Sequence, residues 1–267
     1  MTENKFNDKI YKIVLGGLLL GWFIKLPVFF WEYLNVTAFK FRPDLELFPS
    51  IFESPIVSQL FYFLPLTTLS IYFMKSGFIS ELLLKIYSSI LCLSSLVLML
   101  HLNTYNDATF VTSFWVSLWL LWFSFHGEQQ YHQQACKLAV ALVSMIFLGG
   151  LVGKLSSEWF SGEVMFGLLQ STFNHWPFSW IKDNFTYEQM KTFSLILSWG
   201  VILIELLLAS SFFWPLKYSL KIIPAIIAGI IFFRTWLILS VITSLTVLIF
   251  ACYKLYKNEL EYQIEEA

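Results

Sequence analysis

Four ionisable residues stand in or beside long apolar runs: Lys25, Lys154, Glu205 and Arg234. A charge inside hydrocarbon costs about 2.5–3.5 kcal/mol on insertion scales, so each calls for a partner or a task. Lys25 falls near the end of the first run, where its long stem can carry the ammonium towards water. Arg234 interrupts the last run and suits a turn. Lys154 closes a run rich in small residues, Phe147-Leu-Gly-Gly-Leu-Val-Gly-Lys154. Glu205, in Leu203-Ile-Glu-Leu-Leu-Leu208, has no cation near it in sequence. Desolvation favours a neutral carboxyl, so Glu205 stays ionised only beside a cation from another segment, with Lys154 and Arg234 as the candidates. Such a pair does one of two things. It fixes helix register as a buried ion pair, or it handles protons, with a desolvated lysine acting as a base.

Other chemistry finds little support. His126 and His132 flank a polar connector, His101 and His175 lie in other connectors, and none has the spacing of a metal-binding helix. No Walker loop, dinucleotide fingerprint or nucleophile elbow occurs. Cys92, Cys136 and Cys252 show no C-x-x-C spacing, which argues against a disulfide framework or zinc ribbon.

The elements that must position these residues are membrane helices. The chain has 267 residues, 57% of them hydrophobic and 13% charged, the latter about half the roughly 25% of a soluble domain. The 17 Lys plus Arg against 18 Asp plus Glu exclude the basic stripe of a nucleic-acid binder, and 19% aromatics exclude a disordered chain. Roughly 20 apolar residues cross the hydrocarbon as a helix. Runs of that kind cover residues 10–31, 55–74, 78–100, 110–125, 135–153 and 193–216. The last, Ile222 to Tyr253, is read as two helices, 222–233 and 235–253, broken near Arg234. The fold class is therefore all-α, a polytopic transmembrane helix bundle of about eight spans, with about seven as the alternative count. Residues 1–267 form one membrane domain, with no separate soluble domain.

Lys5, Lys9 and Lys12 precede the first span and place the N-terminus in the cytoplasm by the positive-inside rule, in a plasma or bacterial inner membrane. Two connectors on the opposite side are long, 32–54 and 154–192. The second is rich in Trp and Phe, as an interfacial belt or a lid over a cavity would be. Gly17-x-x-x-Gly21, Gly149-x-x-x-Gly153 and Ala225-x-x-x-Gly229 are small-residue spacings suited to close helix packing.

The stretch Phe147-Leu-Gly-Gly-Leu-Val-Gly-Lys154-Leu-Ser-Ser-Glu-Trp159-Phe-Ser-Gly162 resembles the membrane domain of vitamin K-dependent γ-carboxylases and their bacterial relatives, the horizontally transferred transmembrane (HTTM) family. Leu197-Ser-Trp-Gly-Val-Ile-Leu-Ile-Glu205 is similar to that family's later helix with a membrane glutamate, and His101-Leu-Asn-Thr-Tyr-Asn-Asp107 to a polar connector between middle helices. The resemblance implies a quinol- or isoprenoid-linked membrane reaction with a prenyl-quinol cofactor. Lys154 would be the base and Glu205 its partner. Trp159, Gly162 and Arg234 would shape or bind the substrate. It also implies two other readings. One is a non-enzymatic accessory, maturation or immunity factor for a secreted peptide. The residues themselves add a small proton-coupled transporter using Glu205. Membrane lipid is the expected partner, with a secreted peptide as a further substrate and no nucleic acid.

Overall fold

The computed structural model describes residues 3–34, 54–74, 81–100, 108–171, 177–230 and 236–266. Eleven α-helices and no strand occur among these residues. They are α1 (Glu3–Leu34), α2 (Pro55–Met74), α3 (Glu81–Leu100), α4 (Ala108–Phe125), α5 (His132–Val152), α6 (Ser157–Phe160), α7 (Glu163–Ser171), α8 (Phe178–Asn184), α9 (Tyr187–Ser210), α10 (Leu216–Ile230) and α11 (Trp236–Glu266). Six stretches among the described residues are long and apolar enough to cross a membrane, lying in α1, α3, α4, α5, α9 and α11. An apolar helix is the form in which a chain satisfies its own backbone groups in lipid. The chain is an all-α, multi-pass integral membrane protein.

Two described helices, α10 and α11, cover most of the last apolar run and pack against each other. Residues 231–235, and Arg234 with them, lie outside the described residues. The helices gather into two compact units, one of Met1–Leu142 with Leu216–Ala267 and one of Val143–Pro215, with the division running through α5.

In the first unit α1 packs on α11 and α4, and α3 packs on α2 and α4. Gly17 and Gly21 permit the first of these contacts. A Cβ at Gly17 would stand 2.6 Å from Val247 Cβ, and one at Gly21 2.9 Å from the Ser240 carbonyl oxygen. The other two small-residue spacings behave differently, because Gly149 and Gly229 have nothing within 4 Å of a built Cβ. Trp22 is the centre of the packing. It is fully buried, stacks on Tyr62 at 5.0 Å, meets Phe110 edge-on at 5.6 Å, and donates from Nε1 to Ser113 Oγ at 2.8 Å.

Lys25 does not reach out to water, contrary to the expectation from its place near the end of the run. It is 1% exposed. Leu18, Gly21, Trp22 and Lys25 share one face of α1, and Leu18, Trp22 and Lys25 are all buried. Packing of that face on neighbouring helices keeps the lysine stem turned inward.

In the second unit α6 and α7 pack on α9. Most of α9 faces outward, including Leu195, Ile196, Trp199, Leu203, Leu206 and Leu207, as suits a helix surrounded by lipid. The aromatic connector between α5 and α9 is thus three short helices, α6 to α8, in which Met165, Leu169, Phe178 and Ile181 turn inward while Trp180 stays exposed.

Candidate functional site

Lys154 stands just past the C-terminus of α5, where its backbone N–H still donates to the Leu151 carbonyl at 2.8 Å. Gly149, Gly150 and Gly153 end the helix there. The last carbonyls of a helix lack internal partners and carry partial negative charge, and the Lys154 ammonium donates to one of them, Gly150 O, at 3.3 Å. Its stronger partner comes from α9: Nζ donates to Glu205 Oε1 at 2.7 Å. The ammonium also lies 5.3 Å from the centre of the Trp159 ring, within cation–π range.

Glu205 approaches because Gly150 has no side chain. A Cβ at Gly150 would sit 3.2 Å from Oε1 and 3.3 Å from Oε2, tighter than ordinary packing. The pair is mostly shielded, with the Lys154 and Glu205 side chains 20% and 14% exposed. Oε2 of Glu205 is buried with no hydrogen-bond partner. A carboxylate has lone pairs on both oxygens, so one acceptor in this cluster is left over.

Two further features hold Trp159 over the lysine. The Ser198 hydroxyl of α9 donates to the Trp159 carbonyl, tying α6 to the helix that carries Glu205. Gly162 turns the chain from α6 into α7 at φ 81, a left-handed conformation that favours glycine. A Cβ there would also stand 2.7 Å from Leu195 Cα, so the turn rests directly on the α9 backbone. Outside the apolar helix, Glu158 accepts from the hydroxyl of Ser156, from its own backbone N–H and from Ser157, which together hold its carboxyl below the usual carboxylate range.

Four of the five residues singled out from sequence, Lys154, Glu205, Trp159 and Gly162, therefore fall in the second unit, and Lys154 meets both Glu205 and Trp159. The fifth, Arg234, lies outside the described residues; among the described residues the cation beside Glu205 is Lys154. Sequence reasoning missed Gly150 and Ser198. For Ser198 a signal existed: Ser194, Ser198 and Ile202 are buried and recur at helical spacing on α9, leading to Glu205. It also began this span at Phe193, whereas α9 starts at Tyr187 because Thr186 and Gln189 form a capping box.

His126, His132, Cys136 and Cys252 make local contacts, while His101 and His175 lie outside the described residues. His126 stacks on Trp122, and His132 Nε2 lies 3.2 Å from the Gly127 carbonyl. The Cys136 thiol donates to the Cys252 carbonyl at 3.1 Å. Among the described residues no group of three or more His, Cys, Asp or Glu could hold a metal ion.

The fold and these contacts define a class, a polytopic membrane protein carrying a shielded lysine–glutamate pair in one of its two units. Comparison with protein-family profiles, with curated proteins and with solved structures finds no match to this chain.

Proposed function

We propose that the chain is a membrane enzyme of the HTTM kind that acts on a quinol- or isoprenoid-linked substrate, with Lys154 as base and Glu205 as its proton partner. The observation that carries this reading is the 2.7 Å hydrogen bond between Lys154 Nζ and Glu205 Oε1, set against the Trp159 ring. In a shielded site an ammonium–carboxylate pair and its neutral amine–acid form differ only by the position of one proton along that bond. Transfer from Nζ to Oε1 leaves a free amine, able to accept a proton from an acidic hydroxyl. Glu205 then releases its own proton to water and the pair resets. The residues fit a prenyl-quinol: Glu205 Oε2 is an acceptor with no donor, and Leu155, Phe160 and Leu206, close to the pair in sequence, are exposed apolar side chains. When bound, such a group supplies the acidic hydroxyl and the reducing electrons. Gly162 and Trp159 shape this surface. Arg234 is assigned to substrate binding on its sequence position alone. The N-terminus is taken to face the cytoplasm of a plasma or bacterial inner membrane, from the lysines that precede α1.

The test uses purified protein in nanodiscs with a short-chain prenyl-quinol, reading tryptophan quenching for binding and oxygen uptake for turnover. Loss of a general base lowers turnover by about a hundredfold or more, and this is the result expected of Lys154→Ala in protein that remains monodisperse. Absence of quinol binding by the unaltered protein, or full turnover in Lys154→Ala, would overturn the reading. Co-purification of a peptide unaffected by that substitution would point to the accessory role instead.

A further inference from the structure

One end of the first unit gathers charged residues of both signs. Asn7 of α1 donates from Nδ2 to the Gly127 carbonyl at 2.6 Å, and Lys85 of α3 lies 4.5 Å from the Phe125 ring centre at the end of α4. Cys136, in the second turn of α5, donates to Cys252 of α11. These contacts gather the starts of α1, α3 and α5 with the later part of α11. The start of α10 belongs to the same end. That helix is about 22 Å long at 1.5 Å per residue, while the five residues linking it to α11 reach at most about 20 Å when extended. Such a link cannot both return the length of α10 and cross to a packed neighbour, so the two helices run antiparallel. The first turns of α10 then stand beside the region of α11 that carries Lys254.

Lys9, Lys137, Lys217 and Lys221 are exposed at this end. Acids stand at this end as well: Glu3 and Glu81 begin α1 and α3, and Glu259, Glu261, Glu265 and Glu266 lie on the last part of α11. Asp8 pairs with Lys12 at 2.8 Å, Glu128 accepts from Gln130 at 2.5 Å, and Glu259 faces Lys137.

Unlike α1, α3 and α11 at this end, α10 carries lysines and no acid. Ser219, Leu220, Ile223 and Ile227 are buried, and Lys217 and Lys221 are exposed one turn apart, with Tyr218 and Ile222 exposed next to them. No acidic residue occurs in α10, and beyond the lysines its outer face is uncharged.

We propose that the exposed face of α10 is a docking surface for anionic phospholipid. The Lys217 and Lys221 ammoniums take the phosphate oxygens, the Tyr218 ring lies at headgroup depth, and an acyl chain follows Ile222 and the uncharged remainder of the helix. Cations followed by apolar surface match a lipid over its whole length, whereas free phosphate would use only the first part. Lys9 and Lys137 add to the attraction from α1 and α5.

The experiment is native mass spectrometry of the full chain released from nanodiscs of phosphatidylcholine mixed with phosphatidylglycerol. The protein should retain phosphatidylglycerol in preference to phosphatidylcholine. Each lysine near an anionic surface contributes about fivefold, so the Lys217→Gln, Lys221→Gln double variant should lose most of that preference, while Lys217→Arg, Lys221→Arg keeps it. Rising salt should weaken the preference in the unaltered protein. Equal retention of both lipids, or a Gln variant with undiminished preference, would overturn the proposal. So would displacement of the lipid by inorganic phosphate alone, which would make the site one for free anions.

Discussion

The two units solve the problem of polar groups in an apolar setting in different ways. In the first, neutral donors meet neutral acceptors across helices. Tyr11 donates to Leu120 O and Tyr62 to Trp22 O, both at 2.6 Å, Trp119 donates to Ala135 O at 2.8 Å, and Thr109 and Ser240 share a 2.6 Å bond. The second also has neutral links, Ser198 to the Trp159 carbonyl and Ser144 to Ser211 at 2.9 Å, and adds a charged pair, Lys154 with Glu205. Neutral bonds between buried groups cost little desolvation and lock packing in place. A charged pair in such a site barely offsets its own desolvation, so it is a poor device for stability alone. The contrast is what the proposed site in the second unit rests on.

The largest expected effect lies in the scaffold. Trp22→Ala removes a stacked, fully buried ring and its bond to Ser113, and should destabilise the protein by on the order of 3 kcal/mol. That is the low end for such a change, since lipid also solvates the unfolded apolar surface. Thermal unfolding in nanodiscs measures it, and a loss below that of the paired residues would erase the contrast between the units.

The next effect distinguishes glue from chemistry. Glu205→Gln leaves the Lys154 ammonium without its counter-charge and should cost about 2 kcal/mol, and Lys154→Met should cost a similar amount. The double variant with Glu205→Leu should recover much of both losses, because no buried charge is left unpaired. A double variant as unstable as the sum of the singles would show the two side chains to act on stability independently rather than as a pair.

The smallest effect tests the turn under Trp159. The Glu158 carboxyl is held below its ordinary range in the folded protein, so its contribution is present above that range and fades as pH falls through the lowered folded value. Amide exchange over 157–162 should therefore quicken in acid, and Glu158→Gln should flatten that response. An unchanged acid profile in the variant would remove the carboxylate from this role.

Sequence alone determined the helical class, because long uncharged runs in lipid have only one way to satisfy their backbones. It also picked out Lys154 and Glu205, since a charge in an apolar run stands out without any coordinates. Which cation meets Glu205 was left open between Lys154 and Arg234. That choice depends on a fold that brings together residues 51 positions apart and on the close approach that glycine at 150 permits. Helix ends were less legible where capping decides them, as at Thr186 and Gln189. Lys25 shows the same limit, since its distance along the run suggested water and its face on α1 turned it inward. Composition and spacing fix which groups hydrocarbon will not tolerate alone. Tertiary packing decides which neighbour each receives, because only the folded helices set the faces and distances over which charges and hydrogen bonds act.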